Sequence, residues 1–194
     1  MLSVNETAYP RFKTNSTPKD LTAIYTPNPE EIGLANRLAQ RIAPRVSFLV
    51  LLKTFQRLGY FPKLTDVPSA IIHHISLCIS VPQIPRGLAN YDRKTRTRHI
   101  HQILKFLKVT AYGKAAESTM NQAMISAAAT KDDIADIINV AIEELIRQRF
   151  ELPGFSILVR AAKKARFKVN NGYFRILYQL LGNDAYSGEA DHRF

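Results

Sequence analysis

The sequence predicts an all-α protein built from two small helical modules of helix-turn-helix type in tandem. Three observations carry this. Strand-like alternation of valine and threonine is absent, and no Asn-Gly hairpin joins two alternating runs. Apolar residues recur instead at three- and four-residue spacing. Helix start and stop signals bracket several of those runs.

The first strong start is "NPEEIGLANRLAQ", with Asn28 as cap, Pro29 at the first position and Glu31 placed to reach back as in a capping box. "PRVSFLVLLKTFQRLG" follows, Pro44 to Gly59, apolar at Val46, Leu49, Val50 and Leu52 and stopped by Gly59. After the connector "YFPKLTD", Pro68 suits the first turn of a helix with the stripe Ile71, Ile72, Ile75 and Ile79. "PQIPRGLANYD" then leads to a helix starting at Asn90–Asp92, with Ile100, Ile103, Leu104 and Leu107 on its buried face.

Past Gly113 a second group begins. "AAESTMNQAMISAAA" reads as a helix of low hydrophobicity. "TKDDIADIINVAIEELIRQR" is the clearest helix: Thr130 as cap, Asp132 and Asp133 in the first turn, Arg147 and Arg149 in the last, and Ile134, Ile137, Ile138, Ala141 and Leu145 as the core stripe. Pro153 and Gly154 break it. A helix resumes from about Ser156, with Asn170–Gly172 as a place to bend, and "GNDAYSGEADHRF" closes the chain as a polar stretch without periodicity. The expected organisation is a first module over 1–112, a second over 113–182 and a tail over 183–194, frayed or left by truncation.

Length, charge and cysteine usage narrow the function. The chain of 194 residues has a net charge of +11, which points toward polyanions. Lys and Arg against Asp and Glu number four against four over 1–40, thirteen against two over 41–114, three against seven over 115–154, and seven against three over 155–194. Two basic blocks separated by an acidic one suggest two contact surfaces. No run of eighteen apolar residues suggests a membrane span, and the start has no signal-peptide pattern. The one cysteine, Cys78, excludes an internal disulfide and a cysteine-rich zinc site, so the expected compartment is cytoplasmic. Cys78 reads as a small core residue, and the adjacent His73 and His74 as one exposed and one half-buried ring. No catalytic site, metal site or cofactor motif stands out, and Asp132, Asp133, Asp136, Glu143 and Glu144 read as a solvated helix face.

The basic helices are the informative feature. Lys94, Arg98, His101, Lys105 and Lys108 recur at alternating four and three, and Arg93, Lys94 and Arg96 crowd the helix start. Cations there oppose the macrodipole by roughly 0.3–1 kcal/mol each. That placement suits a phosphate backbone, because a helix N-terminus already offers N–H groups to an anion. A second stripe holds Arg160, Lys164, Lys168, Asn171 and Arg175, with Lys163 and Arg166 beside it, on the second member of a helix-turn-helix pair. A solvated basic face, RNA, anionic lipid and an acidic protein partner stay open as other readings.

Four segments, "YPRFKTNSTPKDLTAIYTPNPEEI", "LLKTFQRLGYFPKLTDVPSAIIHHI", "YDRKTRTRHIHQILKFL" and "IEELIRQRFELPGFSILVRAAKKAR", resemble in order and spacing the N-terminal region of Tn-three family transposases. Those are bacterial replicative transposases that form cointegrates. The resemblance covers about residues 9–182, and "YDR-x-TRTRH" and "ELPGFS-x-L" are its most specific parts. It implies a non-catalytic, helical region that binds double-stranded DNA at the transposon's terminal inverted repeats through two modules. It also implies a catalytic domain far downstream, and leaves room for self-association through the full-length transposase.

By match to the motif, Arg93, Arg96, Arg98 and His99 are the contact candidates in the first module. Ser156, Arg160, Lys163, Lys164 and Arg166 are those in the second. The residue stripes add Lys94, His101 and Lys168. The expectation is therefore a DNA-binding fragment without enzymatic activity, cofactor or membrane. Its rival is a regulatory module whose basic faces dock an acidic protein.

Overall fold

The computed structural model describes residues 3–85, 88 and 92–184. Among them are eight α-helices: α1 Pro18–Tyr25, α2 Pro29–Leu38, α3 Ile42–Leu58, α4 Ser69–Cys78, α5 Arg93–Leu107, α6 Lys114–Ala128, α7 Ile134–Arg147 and α8 Phe155–Asp184. The fold is all-α, and the described residues contain no strand beyond an isolated bridge between Thr110 and Phe150. The chain forms two compact units. The N-terminal unit holds Pro10–Tyr112 and Arg149–Leu152, and the C-terminal unit holds Met1–Tyr9, Gly113–Gln148 and Pro153–Phe194. This differs from the continuous division 1–112, 113–182 and 183–194 expected from the sequence.

The N-terminal unit is organised around α3, which packs on α1, α2, α4 and α5. Every residue of α3 from Val46 to Phe55 is buried, and all but Ser47, Lys53 and Thr54 are apolar, as suits a helix surrounded by others. Gly59 ends it in the left-handed conformation at φ +73°, its N–H bonded to the Phe55 carbonyl. Two capping boxes start the helices before it. Asn28 and Glu31 exchange bonds at α2, and Thr17 and Asp20 do so at α1. The α1 box had a readable signal, Thr17 and Pro18 followed by Asp20, although its apolar content is too slight to stand out by periodicity.

The segment 149–152 belongs to this unit through main-chain bonds. Thr110 N–H donates to the Arg149 carbonyl and Glu151 N–H to the Thr110 carbonyl, both at 2.9 Å, while Leu152 N–H donates to the Gly59 carbonyl at 2.8 Å. The sequence places Arg149 in the last turn of a helix. It instead has φ +59° just beyond α7, and its guanidinium donates to the carbonyls of Leu107 and Lys108 at the end of α5. It satisfies carbonyls that the end of a helix leaves open.

In the C-terminal unit α6, α7 and α8 each pack against the other two. Met120, Met124, Ile137, Ile138, Leu145, Leu158 and Ala162 fill the centre. Tyr9 joins from the N-terminus, donating its hydroxyl to the Pro153 carbonyl at 2.9 Å beside Phe155. The expected Thr130 cap gives way to Asp133, whose carboxylate accepts from Ala135 N–H. Thr130 closes the preceding helix instead, bonding back to the Ala127 carbonyl through both its N–H and its hydroxyl. α8 continues through Asn170–Gly172 to Asp184. The expected tail from residue 185 onward, Tyr91, and the side chain of Arg175 lie outside the described residues.

Candidate nucleic-acid interface

At the start of α5, Asp92 answers part of the electrostatic problem posed by the arginines. Its carboxylate caps the helix, accepting from Thr95 N–H at 3.0 Å and the Thr95 hydroxyl at 3.2 Å. The Thr95 backbone bond chiefly lowers the carboxyl's pKa, with help from the Lys94 charge. Around it Arg93, Lys94, Arg98, His101 and Lys105 are exposed, and none of them is ion-paired with a described residue. A single capping acid therefore stands among several open cations.

Two first-module candidates are not placed this way. Arg96 is half-buried and donates to the Pro62 carbonyl at 3.3 Å, so part of its guanidinium is committed within the unit. His99 is fully buried, edge-on to Phe48 with ring centroids 5.2 Å apart. Desolvation, then the neighbouring Arg98 charge, lowers its pKa from 6.5 to about 4. The expectation of a surface contact at His99 is corrected: the imidazole is a neutral core ring on the apolar side of α5. Its spacing, four residues before Ile103, matches that side and was the available signal.

Along α8 the second group divides in a similar way. Ser156, Arg160, Lys163, Lys164 and Lys168 are exposed, while Leu158, Ala162 and Ala165 form the packed side. At 3.6 residues per turn, Ser156, Arg160, Lys163, Lys164 and Asn171 fall within an arc of about 100°. From Phe155 to Asn183 the chain has no Asp or Glu, against the cations Arg160, Lys163, Lys164, Arg166, Lys168 and Arg175. Lys164 and Lys168 also border a groove of about 270 Å³ between α6 and α8, completed by Asn121, Ile125, Ala161 and Ala165.

Arg166 belongs to the scaffold of this unit. Its guanidinium donates to the Ala128 carbonyl at 3.1 Å and the Lys131 carbonyl at 3.0 Å, and pairs with Asp132. It thereby holds the turn that follows α6, which the count of basic residues alone did not disclose. Phe167 is the feature that counting cations overlooks: it lies between Lys163 and Lys164 on the helical projection and is 68% exposed.

Elsewhere the chemistry is sparse. His73 is exposed and His74 half-buried, and the His74 Nε2 lies 2.9 Å from the Thr26 hydroxyl and 3.7 Å from Cys78 Sγ. Cys78 is itself half-buried rather than a core residue. A wider groove of about 640 Å³ between α6 and α7 is lined by Ser118, Thr119, Gln122, Glu143, Glu144 and Arg147 among others. Its Glu144 carboxyl is held at about 2, first by the Arg147 hydrogen bond. Among the described residues no three His, Cys, Asp or Glu side chains are grouped to hold a metal ion, and no helix is long and apolar enough to cross a membrane.

No curated protein matches the chain. The model of a domain of unknown function, DUF4158, matches residues 2–165. That span takes in α1 to α7 and the first turns of α8, so the chain belongs to the DUF4158 family, which is known in transposase-associated proteins.

Proposed function

We propose that this chain is the DNA-binding, non-catalytic part of a Tn-three-like transposase, and that it grips the terminal inverted repeats of the transposon. The observation that carries this reading is the exposed face of α8, cationic at Arg160, Lys163, Lys164 and Lys168 on a stretch without a carboxylate from Phe155 to Asn183. The open cations at the start of α5 form a second such face, and family membership supplies a transposase context. Both units would act as helix-turn-helix modules.

In this reading Lys and Arg neutralise phosphates and set the register, while a few groups read base edges. The phosphate contacts come from Arg93, Lys94, Arg98, His101, Arg160, Lys163, Lys164 and Lys168. Ser156 supplies a hydrogen bond to a base edge. Two modules on one chain raise affinity through effective concentration.

The test is a selection from randomised duplexes by the whole chain, followed by a gel shift with competitor. A site matching inverted repeats at the ends of the element that encodes the chain supports the proposal. Indifference to DNA at low salt would favour an acidic protein partner for the same faces.

A further inference from the structure

The central place on the α8 face is held by a phenyl ring. Phe167 lies one turn beyond Lys163 and Lys164 and one turn before Asn171, so cationic or polar side chains of the same face border it on both sides. It is 68% exposed. Isolated apolar side chains are common on protein surfaces, and the setting is what distinguishes this one. Ile146, also exposed in this unit, sits in sequence between the paired Glu144 and Arg147. Among the described side chains of α8, Tyr173 is the other exposed ring, and it is tied down by its hydroxyl, which donates to the Ala129 carbonyl at 3.4 Å. Phe167 has no polar atom to tether, and its neighbours on the exposed arc include no acid.

Duplex DNA, the partner proposed above for this face, matches both of its parts. The cations call for a polyanion, and the ring calls for an apolar feature set between the charges. The major groove of duplex DNA offers that combination, with phosphates along both walls and the C5-methyl group of thymine on the floor. Resting on the DNA-binding reading above, we infer that Phe167 is a specificity-determining residue that recognises the methyl group of a thymine. The lysines and Arg160 reach the phosphates on either side of it. Asn171, one turn further along the same arc, carries the amide that pairs with two positions of an adenine, so this part of α8 is suited to A·T pairs.

The experiment uses the whole chain and a duplex obtained by selection from randomised sequences. Each thymine is replaced in turn by deoxyuridine, which keeps the pairing with adenine and removes only the methyl group. At one or two positions the wild-type chain should lose about four-fold in affinity, the effect of withdrawing one methyl from an apolar contact. Phe167→Ala should bind the thymine and uracil duplexes equally, with its salt dependence and melting temperature unchanged. Phe167→Leu should retain part of the difference. A wild-type chain indifferent to uracil at every position overturns the assignment, as does a Phe167→Ala chain that keeps the wild-type preference. A change in self-association by Phe167→Ala with the preference intact also overturns it, in favour of a protein contact. Absence of binding to any duplex at low salt sinks the DNA-binding reading itself, whereas tight binding without a methyl effect sinks only the role of Phe167.

Discussion

Lys53 Nζ lies 3.3 Å from Glu31 Oε2 inside the N-terminal unit, with side chains 11% and 2% exposed. The same carboxylate accepts from Asn28 N–H at 2.8 Å and from the Gln56 amide at 2.7 Å. A lysine that interrupts the apolar run of α3 is thus fixed to the capping box of α2. Glu31→Gln preserves a capping partner but leaves the Lys53 charge without its counter-ion. We predict a loss of about 3–5 kcal/mol in urea unfolding, the usual cost of breaking a buried pair. Adding Lys53→Met should recover at least half of that loss. A double variant no more stable than the single one would show that the pair is not coupled.

His99 makes stability depend on pH. Its folded pKa, about 4, lies below the ordinary 6.5, so between those values the unfolded chain binds a proton that the folded chain does not. The stabilisation is therefore complete above about pH 6.5 and is lost progressively as pH falls toward 4, up to roughly 3 kcal/mol. His74 shifts in the same direction by burial, and Glu151, raised by burial, acts in the opposite sense. The difference between wild type and His99→Leu isolates the His99 part. Unfolding midpoints at pH 7.5 and pH 5 should converge in the variant; equal slopes for both chains would contradict the assignment.

Two glycines should respond in opposite ways to alanine. At Gly59, φ is +73° and an added Cβ would meet the Leu152 side chain at 3.1 and 3.3 Å. Gly59→Ala should destabilise by about 1–2 kcal/mol from the left-handed backbone alone, and more if Leu152 moves. Gly172 lies inside α8 with no atom within 4 Å of an added Cβ. There alanine should stabilise by about 0.5–1 kcal/mol through helix propensity. Thermal melting of both variants checks the pair.

The cations of α8 should separate by what they touch. Lys164→Ala removes an exposed cation and should reduce the salt slope of DNA binding by about 0.9, leaving melting unchanged. Arg98→Ala on α5 should behave the same way. Arg166→Ala should instead lower the melting temperature, because Arg166 holds the Ala128 and Lys131 carbonyls. If Arg166→Ala changed only the salt slope, its place in the scaffold would be wrong.

Local chemistry explains which of these features the sequence discloses. The Asn28–Pro29–Glu31 start, the Gly59 stop, and the stripe of Ile137, Ile138, Ala141 and Leu145 are written within one or two turns, so they can be read directly. Arg149 and Arg166 are different, because their partners lie 41 and 38 residues away at Lys108 and Ala128. Nothing near either arginine signals that it will satisfy another helix's carbonyls. His99 stands within a basic motif, while its place on the buried side of α5 follows from its spacing to Ile103. The sequence sets the cap of α7 three residues early, because Thr130 and Asp133 are both good caps. The choice between them depends on how α6 ends.

The most direct measurement of the central claim is binding of the whole chain to its selected duplex and to a scrambled duplex between about 50 and 200 mM salt. A steep, linear fall of log affinity with log salt is expected for both duplexes, with the selected one bound more tightly throughout. Equal affinity for the two duplexes, or an affinity that salt leaves unchanged, would contradict it.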